Sequence, residues 1–123
     1  MTELWRKPAT EMVALLKDGD IRPVEAIDAA AERIEATNGA VNAMVTLCFE
    51  RARDHAARLE AGGYLENPGP GYLYGLPISV KDLVHVEGVR CTQGSPIYED
   101  HVSIESDILV RNLEDNGAIV IGK

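Results

Sequence analysis

The run "NGAIVIGK", Asn116 to Lys123, restricts the fold more than any other stretch. Four consecutive apolar residues, Ala118 to Ile121, stand between two glycines with no polar residue left to face water. A strand with one wet face alternates in polarity, whereas one that is apolar on both faces belongs to a sheet covered on both sides, the parallel-sheet type. Upstream, "LPISV" (Leu76 to Val80) reads as a second strand, with Gly75 and Pro77 punctuating its entrance. Between the two, Ser106 or Asp107 is placed to cap a helix whose apolar side takes Ile108, Val110 or Leu109, and Leu113. Gly117 supplies the left-handed position at its end. Strand, helix, strand is a βα arrangement, and the last strand has no following element to cover it.

The first half of the chain reads as helices. "ATEMVALLKDGD" puts Met12, Leu15 and Leu16 on one face, Glu11 in the first turn and Gly19 at the stop. "RPVEAIDAAAERIEATNG" follows, with Pro23 suited to the first helical position, Ile27, Ala30 and Ile34 at helical spacing, and Asn38 and Gly39 as a C-terminal stop. "VNAMVTLC" alternates Val41, Ala43, Val45 and Leu47, the pattern of a short strand. In "FERARDHAARLEA" an alanine-rich stripe of Phe49, Ala52, Ala56 and Leu59 predicts a closely packed helix that Gly62 and Gly63 end. "GGYLENPGPGYLYG" concentrates Gly and Pro and is expected to be an exposed connection. Its glycines miss the dinucleotide-binding spacing and precede a strand instead of following one.

Charge excludes some functions. The 123 residues carry a formal net charge of −8, and the cations are scattered singly, so contact with nucleic acid or anionic lipid has no electrostatic footing. No apolar run reaches the length of a signal peptide or membrane span, so a cytoplasmic location and no membrane partner are expected. Cys48 and Cys91 lie far apart without metal-ligand spacing, and both read as reduced packing residues. His55, His85 and His101 are equally dispersed, and a structural role is expected for each. No metal or organic cofactor is implied.

The residue needing explanation is Lys81, a charge where an apolar strand stops. Alternation sends Leu76, Ile78 and Val80 to one face and Pro77, Ser79 and Lys81 to the other. Two readings stand side by side. Lys81 either snorkels to solvent or pairs with Asp82 or Glu87, or it is enclosed by apolar neighbours, which lowers a lysine's pKa and lets the neutral amine act as a base. Asp82, on the opposite face, reads as a carboxylate holding local backbone N–H groups, with tuning of Lys81 as the other reading, and Ser95 reads as satisfying a turn, with a part in shaping a substrate cavity as the other reading.

The segment "YGLPISVKDLVHVEGVRCTQGSPIYED" with "RNLEDNGAIVIGK" resembles the amidase signature family, in which a Gly-aliphatic-Pro strand ending in Lys-Asp, a TTxGS-like loop and a GAxxxGK strand recur in that order. The N-terminal helices resemble that family's lead-in. Cys91 stands where a threonine commonly begins the loop, with Thr92, Gly94 and Ser95 retained, and Arg22 replaces the usual Ser/Thr helix cap.

The resemblance implies an α/β fold, with N-terminal helices leading into the first strands of an amidase-signature α/β/α mixed-sheet core that is incomplete in this chain. Residues 1–123 are then the N-terminal portion of one amidase domain: 1–63 a helical lead-in, 64–75 the Gly/Pro-rich connection, and 76–123 the start of the core. The implied chemistry is hydrolysis of carbon–nitrogen amide bonds by a Ser, cis-Ser, Lys triad, with Lys81 as the base. None of Ser79, Ser95, Ser103 or Ser106 lies in a context resembling the family's two serines, so the chain alone is expected to be inactive. Implied partners are a small-molecule amide substrate and the remainder of the amidase domain, or another chain, covering the last strand. An alternative is the A subunit of a tRNA-dependent amidotransferase, the one case in which nucleic acid enters. A non-catalytic interaction module, associating through an unpaired strand edge, is the alternative of another class.

Overall fold

The computed structural model describes residues 3–123; Met1 and Thr2, at the start of the expected helical lead-in, lie outside them. After a single 3-10 turn at Leu4–Arg6 come α1 (Ala9–Asp18), α2 (Pro23–Val41) and α3 (Phe49–Arg58). Then follow β1 (Pro77–Ser79), a 3-10 turn at Pro96–Tyr98, α4 (Ile108–Asp115) and β2 (Ile119–Gly122). β1 and β2 pair in parallel, Pro77 with Ile119 and Ile78 with Val120, and a bulge then brings Ser79 opposite Gly122.

All four β2 residues are buried, and their alternation divides the core into layers. Ile119 and Ile121 pack with Ile27 of α2 and with Ala52, Ala56 and Leu59 of α3 and its end. Val120 faces the other way, into Val80, Val86, Val89 and Val110 of α4. Burying each such side chain stabilises the fold by about 1.5–3 kcal/mol, which is why a strand without a polar face is stable here and nowhere nearer the surface. A third cluster of Met12, Leu16 and Ala26, joined by Leu76 and Tyr74, seats α1 against the start of α2.

Several helix signals act as expected. Glu25 Oε2 accepts from the Arg22 backbone N–H at 2.8 Å, so the first turn of α2 is satisfied without a Ser or Thr cap. Gly117 takes φ +88°, and a Cβ there would lie 2.7 Å from the Tyr72 ring. In α4 only Val110 is fully buried, whereas Ile108 and Leu109 are exposed, so half of the expected apolar side faces out.

Four expectations are corrected. Asn38 and Gly39 do not stop α2: the Asn38 side chain spans to Met44, donating to its O and accepting from its N–H, and the helix runs on to Asn42 at φ +47°. The "VNAMVTLC" strand is an irregular segment with one antiparallel bridge, Leu47 to Gly122, because Val41 belongs to α2. The 64–75 connection lacks regular structure but is not all exposed. Tyr72 is 3% accessible, and the N–H groups of Leu73 and Gly75 donate to Asn116 O and Gly117 O, both at 2.7 Å.

The fourth correction concerns the last strand, which is not open. One β2 edge pairs with β1 and the other meets residues 45–48, where Cys48 N–H donates to Ile121 O at 3.0 Å. A further strand or partner therefore does not need to cover β2. The edge without a strand neighbour among the described residues is the outer edge of β1, beside an open groove of about 490 Å³ lined by Trp5, Ala26, Ala30 and Ile34.

Candidate active site at the carboxyl ends of the strands

Both parallel strands run out toward one end of the sheet, and each is followed by a lysine. In open α/β sheets the carboxyl ends of strands are where ligands bind. After β1, Val80 N–H donates to Gly122 O at 3.0 Å, which carries the pairing one residue further, and the chain then turns at Lys81 with Val84 N–H donating to Lys81 O at 3.0 Å. Lys81 is exposed, as is Ser79 two residues earlier on the same face. Of the two readings open for Lys81, the structure of this chain therefore has the side chain in solvent.

The enclosed lysine is Lys123. It is 4% accessible, and its Nζ lies 3.3 Å from Asp82 Oδ1. That is ion-pair distance without hydrogen-bond alignment, so among the described residues Nζ donates to no oxygen in good geometry. Its backbone is fixed separately: Lys123 N–H donates to Thr46 O at 2.7 Å, and Lys123 O accepts from the Val45 and Thr46 amides at 2.7 and 3.2 Å.

Asp82 joins the two strand ends to the loop after Arg90. Its Oδ1 accepts from the Thr92 backbone N–H at 3.1 Å, and its Oδ2 from the Thr92 hydroxyl. Its backbone carbonyl accepts from Gln93 N–H at 3.0 Å and from the Cys91 thiol at 3.6 Å. Burial pushes the Asp82 carboxyl up, but the Thr92 hydroxyl and amide and the Lys123 ammonium outweigh it and hold it below the usual carboxylate range. The expectation that Asp82 holds loop backbone is met. Ser95 Oγ accepts from Ile97 N–H at 3.2 Å, as a turn-forming serine does.

The three histidines sit apart from this centre. His55 Nδ1 approaches Glu114 Oε2 at 3.6 Å between α3 and α4, where Arg51 also pairs with Glu114 at 2.9 Å. Burial lowers the His55 pKa, against the pull of Glu114. His85 Nδ1 lies 2.7 Å from the Ser103 hydroxyl, with the His101 ring edge-on to it. Both cysteines are free, and burial pushes the Cys48 thiol up, away from the reactive thiolate. Among the described residues no three His, Cys, Asp or Glu side chains converge as metal ligands, and no helix is long and apolar enough to cross a membrane.

Sequence reasoning singled out Lys81 and Asp82 but missed Lys123 as the buried cation. The available signal was a lysine directly after a strand with no polar face. Thr92, which the sequence marks only as part of the loop, supplies two of the donors to Asp82.

Residues 25–123 match the family model described as Amidase. The A subunit of the glutamyl-tRNA(Gln) amidotransferase of Oleidesulfovibrio alaskensis is 36% identical over 123 residues, which is all of this chain and 25% of that protein. The indoleacetamide hydrolase of Bradyrhizobium diazoefficiens is 35% identical, over 97% of this chain and 22% of its own length. Among solved structures, a bacterial aryl acylamidase of the amidase signature enzymes superposes with a TM-score of 0.78 at 26% identity, covering 94% of this chain and 24% of that one. The chain thus spans about a quarter of the length of these relatives. With an α/β fold in common and a match that includes β1, the Thr92 loop and β2, the chain belongs to the amidase signature family.

Proposed function

We propose that this chain contributes the base of an amide-cleaving site, with Lys81 taking the proton that a serine hydroxyl gives up as it attacks an amide carbonyl. The observation that carries the reading is the gathering of Lys81, Asp82, Thr92 and Lys123 at the carboxyl ends of a parallel strand pair, with Lys81 alone free to reach outward. Lysine suits the step because its amine can become neutral near physiological pH when enclosed, whereas a guanidinium cannot. The reading draws both serines, the oxyanion donors and the enclosure of Lys81 from residues outside these 123. A bridging cis serine relays the proton to Lys81, the C–N bond breaks as that proton returns to the departing amine and leaves the acyl group on the nucleophilic serine, and water then cleaves the ester to release the acid and restore the serine. Small linear amides are the proposed substrates, handled without metal or organic cofactor in a cytoplasmic enzyme.

The test is release of ammonia or amine from a panel of primary and secondary amides by the full-length protein, with the 123-residue chain alone as control. Turnover by the full-length protein and none by the chain alone is expected. Lys81-dependent turnover by the 123 residues would overturn the division of labour, and a full-length protein inert toward every amide, glutamine included, would overturn the function.

The similarity to the A subunits of amidotransferases favours a second reading, in which the amide is glutamine and the ammonia passes to a partner protein that binds charged tRNA. A copurifying partner and glutamine as the preferred amide would select it.

A further inference from the structure

We infer that Lys123 is a positioning residue for Lys81: its buried ammonium holds Asp82, and Asp82 in turn fixes the backbone from which Lys81 reaches the reacting groups. The inference rests on Lys81 being the base, as proposed above, and adds a residue to that site.

A cation costs several kcal/mol to bury, and the surroundings of Lys123 offer no packing reason for one. The strand it ends is apolar on both faces, and its own backbone is already held by Val45 and Thr46. A methionine would continue β2 with the same volume and no desolvation. What the ammonium gains is a place 3.3 Å from Asp82 Oδ1.

Asp82 is the point where that charge becomes geometry. Its carboxylate takes both Thr92 donors, and its carbonyl takes Gln93 N–H and the Cys91 thiol, so the residue directly after Lys81 is tied at both ends. The residue directly before Lys81 is tied as well, through Val80 N–H to Gly122 O. Lys81 therefore projects from a peptide clamped on either side, while its own side chain stays unencumbered. Asp82 faces Lys123, directly after β2, and Cys91 and Thr92 from the loop, and Cys48, ahead of α3, is a titratable group whose environment includes Lys123, Arg51 and Glu114. Misplacing a catalytic group by about 1 Å costs on the order of 100-fold in rate, so a clamp of this kind has a kinetic value that a strand end otherwise lacks.

The experiment uses the full-length protein and three variants, Lys123→Met, Thr92→Val and the double variant, with Lys81→Ala as reference. Two readouts are taken: kcat and KM for amide hydrolysis, and the pH midpoint of the Thr92 backbone amide shift by NMR after selective threonine labelling, which reports Asp82 directly. Lys123→Met is expected to lower kcat about 10- to 100-fold with KM within about twofold, and to move the Thr92 midpoint upward. The double variant is expected to be no slower than the worse single variant, because both act through Asp82. Lost packing alone would leave the midpoint in place. Should Lys123→Met fail to fold, Thr92→Val carries the test through the same split between kcat and KM. If Lys81→Ala abolishes turnover while Lys123→Met keeps both kcat and the Thr92 midpoint, the positioning role is overturned. If Lys81→Ala has no effect, the proposed base is wrong, and the NMR midpoint still reports separately whether Lys123 governs Asp82.

Discussion

Removing the Asp82 carboxylate should harm the fold more than removing the lysine it faces. Asp82→Ala strands the Lys123 ammonium, whose side chain is fully buried, opposite a methyl group. Breaking a buried pair from one side costs about 3–5 kcal/mol, and since the Asp82 side chain is 17% accessible and water can partly replace it, about 3 kcal/mol is the expected loss. Lys123→Met removes the charge together with its desolvation and keeps the volume, so it should cost no more than about 1 kcal/mol. In the double variant the stranded charge is gone, and about 2 kcal/mol of the Asp82→Ala loss should return as coupling energy. Urea unfolding of the four proteins measures this through shifts in midpoint at constant slope. Losses that are equal for the two single variants and add in the double would refute the reasoning, since they would mean that Lys123 packs without depending on its counter-charge.

Other consequences follow from the same geometry. Because the Asp82 carboxyl is held below its usual range, its contribution to stability is present above the unfolded value of about 3.9 and is lost as pH falls through the lower folded value; Asp82→Asn should flatten that part of an acid unfolding curve. The lowered His55 pKa works in the same direction at higher pH, with stability full above about 6.5 and falling as pH drops from there through the folded value, a slope that His55→Gln should remove. Gly117→Ala combines a positive φ with a Cβ 2.7 Å from the buried Tyr72 ring, so a loss of about 2–4 kcal/mol is expected in thermal or urea unfolding. Ile119→Ala, at a fully buried position between α2 and α3, should cost about 2–5 kcal/mol by the same assays.

Features set by local pattern were legible in the sequence. A four-residue apolar run between two glycines is too short for a helix and reads as a strand covered on both faces, and β2 is that strand, with Ile119 and Ile121 in one layer and Val120 in the other. The alanine stripe of α3 likewise reads directly as close packing. Features decided by distant contacts were not legible. Asn38 and Gly39 look like a helix stop until Asn38 is seen to reach Met44, and Tyr72 sits in a Gly/Pro-rich stretch whose composition hides its burial against Gly117. The two strand-end lysines look alike in sequence. Which one is enclosed depends on Asp82 and on the segment before α3 closing over Lys123, neither of which is local to it.

The most direct measurement is kcat for amide hydrolysis by the full-length protein carrying Lys81→Ala, normalised to the unmodified protein and accompanied by an unfolding curve. A loss of at least about 100-fold, the low end of what a general base contributes, is expected with the protein still folded, because within these 123 residues the Lys81 side chain is exposed and ties no element to another. Turnover within a few-fold of the unmodified protein would contradict its assignment as the base.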